Sequence, residues 1–265
     1  PRDVNDVLDL EPVVKHSTPK SVTAHGLLEV GKQQLAMGQF ESAFEFLSQA
    51  IVMFQQVKGP MNPQVSTCFS YLATILFHAS DLPQSILHQH KALIITRRVL
   101  GVDSAMTCQI HQLLGMLCHH VGQSVLALKH FLRAKYIFDI ACGFDHPDLA
   151  TVLTNLAMMY QDLGDMTTSI NFLKEALRVN LAVLGETFQT ATTYHAIAVS
   201  YNMIEKHREA LDFEKRSYNI LNTTFGKDDV RTKESSNWVN HFAKLAVAKQ
   251  KAILKELGDQ SSNTR

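Results

Sequence analysis

Residues 143–185, GFDHPDLATVLTNLAMMYQDLGDMTTSINFLKEALRVNLAVLG, run from Gly143 to Gly185 and enclose one structural unit of 42 residues. Two apolar-periodic stretches lie between the glycines. The first opens at Asp145-His146-Pro147, a capping residue followed by proline near the first helical position, which is helix-entry chemistry. The second closes at Leu184 before Gly185, and a glycine just past an apolar helix is the expected left-handed stop. The same spacing extends in both directions. Gly59, Gly101, Gly143 and Gly185 are each 42 residues apart, and Gly226 follows 41 later. Self-similarity at a fixed period of this size means stacked helix pairs rather than a single compact core.

Small residues fix the register inside each unit. Gly31, Ala73, Gly115, Ala157 and Ala198 form one column, Ala43, Ser85, Ala127, Ser169 and Ala210 a second, and Ala50, Ala92, Ala134, Ala176 and Ser217 a third. Two antiparallel helices need small side chains at these offsets if their backbones are to approach closely. The one-residue shortening falls between Gly185 and Ala198, most easily in the loop there. The offsets are those of tetratricopeptide repeats, whose usual period is about 34 residues. The added residues lengthen each helix by roughly one turn. The register predicts first helices near 22–36, 63–79, 104–120, 147–162 and 188–204, and second helices near 40–57, 83–99, 124–141, 166–183 and 207–224. The expected fold is all-α: a right-handed α-solenoid of five long tetratricopeptide-type helix pairs with a C-terminal capping helix. Residues 1–20 read as an extended lead-in, 21–228 as the repeats, 229–257 as the cap, and 258–265 as a polar tail after a stop at Gly258. Trp238, Phe242 and Leu245 share a face of the cap, which would cover the open apolar side of the last pair.

Composition narrows function. Apolar runs such as Leu93-Ile94-Ile95 fall far short of the roughly 20 residues that span a bilayer, so no membrane insertion is expected. The N-terminal residues carry no basic-then-apolar signal segment, and the expectation is a cytoplasmic chain. Cys68, Cys108, Cys118 and Cys142 sit singly within apolar helical patterns and form no C-x-x-C pair, which reads as reduced thiols, not disulfides or a zinc site. His88 and His90 point to different faces of one helix, and adjacent His119 and His120 cannot chelate one ion from a helix. No H-E-x-x-H, G-x-S-x-G or glycine-rich phosphate loop is present, so no catalytic residues, metal or cofactor are assigned.

Binding is the remaining reading. First helices line the concave side of such solenoids. Their inward positions include Thr67, Ser70 and His78 in the second unit, Gln109, Gln112 and His119 in the third, Thr151, Thr154, Asn155 and Gln161 in the fourth, and Thr192, His195 and Asn202 in the fifth. Taken singly, Asn155 and the threonines can simply satisfy neighbouring helices. Together, uncharged amides, hydroxyls and imidazoles suit an extended backbone with its own donors and acceptors, with a protein or peptide partner as the expected occupant. Net charge is zero, yet residues 82–138 hold six Lys/Arg against one acid. Arg97, Arg98, Lys129, Arg133 and Lys135 on second helices are the candidate phosphate or RNA contacts. The zero net charge weighs against strong nonspecific nucleic-acid binding.

Gly143-Phe144-Asp145-His146-Pro147 and Asn155-Leu156-Ala157 resemble the kinesin light chain type of repeat. A closer resemblance covers nearly the whole chain. Pro12-Val13-Val14-Lys15-His16-Ser17-Thr18-Pro19-Lys20, Gln56-Val57-Lys58-Gly59-Pro60-Met61, Leu100-Gly101-Val102-Asp103 and Arg231-Thr232-Lys233-Glu234-Ser235-Ser236 are similar to the C-terminal repeat region of clustered-mitochondria proteins. Asn62-Pro63, Ser104-Ala105 and Thr187-Phe188 depart from the junction pattern. The resemblance implies the repeat domain of a large cytosolic protein that keeps mitochondria dispersed. It also implies association with mRNAs for mitochondrial proteins, and with the translation initiation factor 3 complex or the ribosome.

Overall fold

In a computed structural model, residues 21–262 are described apart from 142, 144 and 145. The lead-in proposed for 1–20, Asp145 and Cys142 lie outside the described residues. The first helix pair is α1 (Val22–Ala36) with α2 (Phe40–Lys58), the second α3 (Pro63–His78) with α4 (Leu82–Val99), and the third α5 (Ala105–His120) with α6 (Ser124–Ala141). The fourth is α7 (Pro147–Asp162) with α8 (Met166–Val183), the fifth α9 (Phe188–Met203) with α10 (His207–Phe225), and α11 (Val230–Ser262) closes the stack. Bounds of the ten paired helices fall within one residue of those the glycine register gives. No strand occurs among the described residues. Contacts run almost wholly between helices adjacent in sequence, the nearest-neighbour pattern of a solenoid.

Polar side chains start the helices. Ser21, Asn62 and Ser104 accept hydrogen bonds from the N–H groups of Ala24, Gln64 and Thr107. The cap of α7 is His146, whose side chain accepts from the Asp148 N–H, with Pro147 following at the first helical position. Between pairs, Gly59 takes φ 81° and ψ 168°. The expected αL stop is therefore corrected to a positive-φ extended turn, a region that is essentially glycine-only. A second periodic set within the pairs, Gly38, Ser80, Gly122, Gly164 and Glu205, also has positive φ.

The small columns do the work their spacing implies. A Cβ on Gly31 would stand 2.8 Å from Leu47 Cγ, and one on Gly115 would stand 2.8 Å from the Phe131 ring. Ala50, Ala92, Ala134 and Ala176 are completely buried. Such contacts let the cores of successive pairs run together, as where Phe131, Ile137, Leu149, Leu153 and Leu156 form one cluster across α6 and α7.

The cap α11 packs against α10. Phe242 is completely buried with Ala198 and Ala210, and Leu245 packs beside them, while Trp238 stays 40% exposed. The predicted stop at Gly258 is not used, because α11 continues to Ser262. One glycine within a helix costs only about 1 kcal/mol.

Candidate binding groove

Successive first helices lie side by side with a second helix beneath each seam, and three seams open into cavities. Between α7 and α9, a cavity of about 450 Å³ is lined by Thr151, Thr154, Asn155, Gln189 and Thr192, with Asn180 and Thr193 below. Several of these groups are already satisfied within the fold. Thr154 donates to the Ala150 carbonyl at 2.9 Å, and the Asn180 amide donates to the Thr193 hydroxyl at 2.9 Å. Half-buried Asn155 faces the same cavity.

Between α3 and α5 the character changes. Ala73, Phe77, Leu113, Met116 and Leu117 wall a cavity of about 280 Å³, with Thr74 and His78 also lining it. Gln89 of α4 completes the lining. It is completely buried, and neither its Nε2 nor its Oε1 has a hydrogen-bond partner.

The seam between α9 and α11 holds a third cavity, about 180 Å³, lined by His195, Glu214, Arg231, Ser235 and Trp238 among others. Glu214 is completely buried. Ser235 Oγ donates to its Oε1 at 2.6 Å, and its Oε2 lies 2.8 Å from His195 Nδ1. The imidazole also packs against Trp238, with ring centroids 5.6 Å apart. Arg231 stacks 3.6 Å from the Phe225 centroid while pairing with Asp229.

Of the sequence-predicted groove residues, the fold brings Thr154 and Asn155 together in one cavity and places His78 and His195 in the other two. Thr67, Ser70, Gln112, His119 and Asn202 line none of the three. Thr67 donates back to the Pro63 carbonyl, and Asn202 Oδ1 accepts from His207 Nδ1 at 2.8 Å. Gln112 is half-buried with its Nε2 unpaired. His119 Nδ1 is 3.4 Å from Asp162 Oδ2 without hydrogen-bond alignment. His78 stacks on Phe40, centroids 5.0 Å apart.

The sequence reading missed Gln89 and Glu214. They occupy one further periodic column, Leu47, Gln89, Phe131, Leu173 and Glu214, in which all five side chains are buried. Polar residues interrupting an otherwise apolar column were the available signal.

The basic stretch divides. Arg97, Arg98 and Lys129 are exposed. Arg133 pairs with Asp103 at 2.7 Å and lies over the Tyr136 ring, and Lys135 pairs with Asp139 at 3.0 Å and approaches Glu175 at 3.9 Å. Nearby, His111 Nδ1 and His130 Nδ1 are 2.9 Å apart, which requires one ring to donate and the other to accept. Burial pushes both imidazoles below their ordinary value, His111 to about 4, so the pair is neutral near pH 7. Burial likewise pushes the Cys68 thiol up to about 12, which makes it a poor nucleophile. Cys68 and Cys118 are buried free thiols, and the Cys108 thiol donates to the Ala134 carbonyl at 3.3 Å. Among the described residues no three His, Cys, Asp or Glu side chains are grouped to hold a metal ion, and no helix is long and apolar enough to cross a membrane.

Residues 65–105 and 148–223 match models of the tetratricopeptide repeat. The chain is 31% identical over 250 residues to a clustered mitochondria protein homolog of Culex quinquefasciatus, covering 94% of this chain and 18% of that protein. The Homo sapiens homolog is 30% identical over 249 residues, again 94% of this chain and 19% of the relative. The chain thus spans about a fifth of the length of these relatives. Among solved structures, BtubC from P. vanneervenii superimposes with a TM-score of 0.70 at 17% identity, covering 76% of this chain and 81% of that one. A Podosopora anserina kinesin light chain with nearly identical repeats gives 0.66 at 17% identity, covering 76% and 96%. These two establish likeness of fold alone.

Proposed function

As a tetratricopeptide repeat segment this chain belongs to the clustered mitochondria family, and we propose that it is a non-catalytic binding scaffold whose concave face takes an extended protein segment. The observation that supports this reading is the set of seam cavities along the first helices, lined mainly by amides, hydroxyls and apolar side chains, with His78 in one and Asp148 in another. A peptide backbone offers one donor and one acceptor per residue and needs partners of that kind. The cytosolic whole protein would use this docking in distributing mitochondria. Peptides selected from a random display library against the chain provide the test. They should compete for one site, and Thr154→Val with Asn155→Ala should weaken them roughly three- to tenfold with unchanged circular dichroism. Selected peptides that bind this double variant equally well would remove the groove reading.

A second reading is direct contact with mRNA, favoured by Arg97, Arg98 and Lys129, exposed on second helices of adjacent pairs. Contacts of that kind release counterions and carry little sequence information. Binding of a single-stranded oligoribonucleotide should then weaken with salt, and joint charge reversal of the three residues should make that dependence shallower by about the number of phosphates released. Arg133 and Lys135, already paired with acids, should contribute less. A salt-independent or undetectable response would leave the protein partner as the sole reading, and any link to translation initiation factor 3 or the ribosome would then run through protein contacts.

A further inference from the structure

The seam between α3 and α5 is lined mainly by apolar side chains, with Thr74, His78 and the Gln89 carboxamide among them, and the carboxamide has neither polar atom paired. At the corresponding position the first, third and fourth pairs place Leu47, Phe131 and Leu173, so the fold itself asks only for an apolar side chain. An amide buried there without partners is a cost to the folded chain. The fifth pair shows how a polar residue in this column is normally accommodated. Glu214 is bonded to His195, 19 residues before it, and to Ser235, 21 after it. The same offsets from Gln89 fall on Ser70 and Ile110. Ser70 is too short to reach as histidine does, and buried Ile110 has no polar atom to offer. Thr74, whose hydroxyl lines this cavity, donates to the Ser70 carbonyl.

We infer that this seam is the anchor subsite of the groove, taking one apolar side chain of a partner peptide together with the peptide amide beside it. The inference rests on the groove being a peptide site. The occupant's chemistry follows from the walls. Phe77, Leu113, Met116 and Leu117 suit an aliphatic or aromatic side chain, and about 280 Å³ is below the usual range of drug-sized pockets, the scale of one residue. A carboxamide presents both an N–H donor and a carbonyl acceptor, which pair reciprocally with the C=O and N–H of a peptide backbone. No Asp, Glu, Lys or Arg lines the cavity, so a charged side chain would lose its hydration there without compensation.

The probes are blocked amino acids, N-acetyl-leucinamide and N-acetyl-phenylalaninamide, titrated into the isotope-labelled chain and followed by NMR. Saturable shifts are expected in the Gln89 side-chain amide and in the backbone signals of Thr74 and Leu113, with dissociation constants on the order of millimolar. N-acetyl-glycinamide, which keeps the amide and lacks the apolar group, should bind about tenfold more weakly or not at all. Gln89→Leu should weaken N-acetyl-leucinamide roughly three- to tenfold, and Leu113→Trp should block the cavity while the helical spectrum is retained. Non-saturating shifts, equal binding of the glycine probe, or unchanged affinity in Gln89→Leu each overturn the anchor. Library-selected peptides that shift Asn155 but leave Gln89 unmoved also overturn it, and leave the groove reading standing. Probes that saturate at Gln89 while every selected peptide stays out of the seam assign the cavity to a small molecule and overturn the peptide anchor. Failure of probes and peptides alike removes both readings.

Discussion

Gln89 and Glu214 hold the same place in the second and fifth helix pairs, in a column otherwise filled by Leu47, Phe131 and Leu173. Both are completely buried, and both line a cavity at a seam of first helices. Their surroundings differ. The carboxylate of Glu214 meets Ser235 of the cap and His195 of its own pair. The carboxamide of Gln89 meets apolar walls, and both its polar atoms are unpaired. Burial of a polar group is therefore not one phenomenon in this repeat. With partners it latches the end of the solenoid, and without them it lowers stability and is left to act on a ligand. The difference makes four outcomes measurable, and they separate the two seams.

Removing the cap should have the largest effect. Truncation before Asp229 takes away Ser235, uncovers Glu214 and exposes the contacts that bury Phe242 against Ala198 and Ala210. The expected outcome is aggregation or unfolding of the fifth pair, seen by size-exclusion chromatography and by loss of helical signal beyond the deleted residues. A truncated chain that stays monomeric with native melting would show that the latch is dispensable.

Ser235→Ala isolates one bond of that latch. It leaves a buried carboxylate oxygen short of its hydroxyl donor, and hydrogen bonds to charged groups contribute about 1.5–3 kcal/mol. The loss should appear as a lower denaturation midpoint at unchanged slope. No change would mean that Glu214 is served by solvent and that the contrast with Gln89 is one of geometry only.

Ala157→Leu examines the close approach inside the fourth pair, where Ala157 of α7 and Leu173 of α8 belong to one buried cluster. Overpacking should cost about 1–3 kcal/mol, measured by the same titration. Melting identical to the parent chain would contradict the close approach that the small columns impose.

The helix pairs were legible in the sequence because their causes are local. A positive φ at Gly59 and Gly226 and a ring against Gly115 each restrict the residue type at one position, and the restriction recurs every 42 residues or so. The helix past Gly258 was not legible, since a single glycine is a weak stop. The site was legible only in outline. Thr154 and Asn155, both expected on the concave side, do share a cavity. Arg133 is paired by Asp103, 30 residues away, and Lys135 by Asp139, one residue past the counted stretch, with Glu175 of the next pair 3.9 Å off, so a charge count over 82–138 overstates the patch. Gln89 was missed for a similar reason. Whether a buried amide has a partner depends on side chains that stacked helices bring to it, here Phe77 of α3 and Leu113, Met116 and Leu117 of α5.

Gln89→Leu should have the smallest effect and the opposite sign. The substitution installs the residue found at Leu47 and Leu173, keeps much the same volume, and removes two unpaired polar atoms from a site with no exposure. An unsatisfied buried polar group costs about 1–3 kcal/mol, and part of that is recovered only if leucine packs as it does in the other pairs. The expected gain is about 1 kcal/mol, a rise in melting temperature of a few degrees for a chain of this size. The same substitution at the other end of the comparison, Glu214→Leu, should destabilise, because it strands Ser235 and His195. A cycle of the two single variants and the double variant should be additive, since five-pair solenoids couple mainly nearest neighbours. If Gln89→Leu instead destabilises, the amide is held by a buried water that bonds both its atoms. The two polar residues would then be structural in the same sense, and the cavity between α3 and α5 would have no reason to await a peptide.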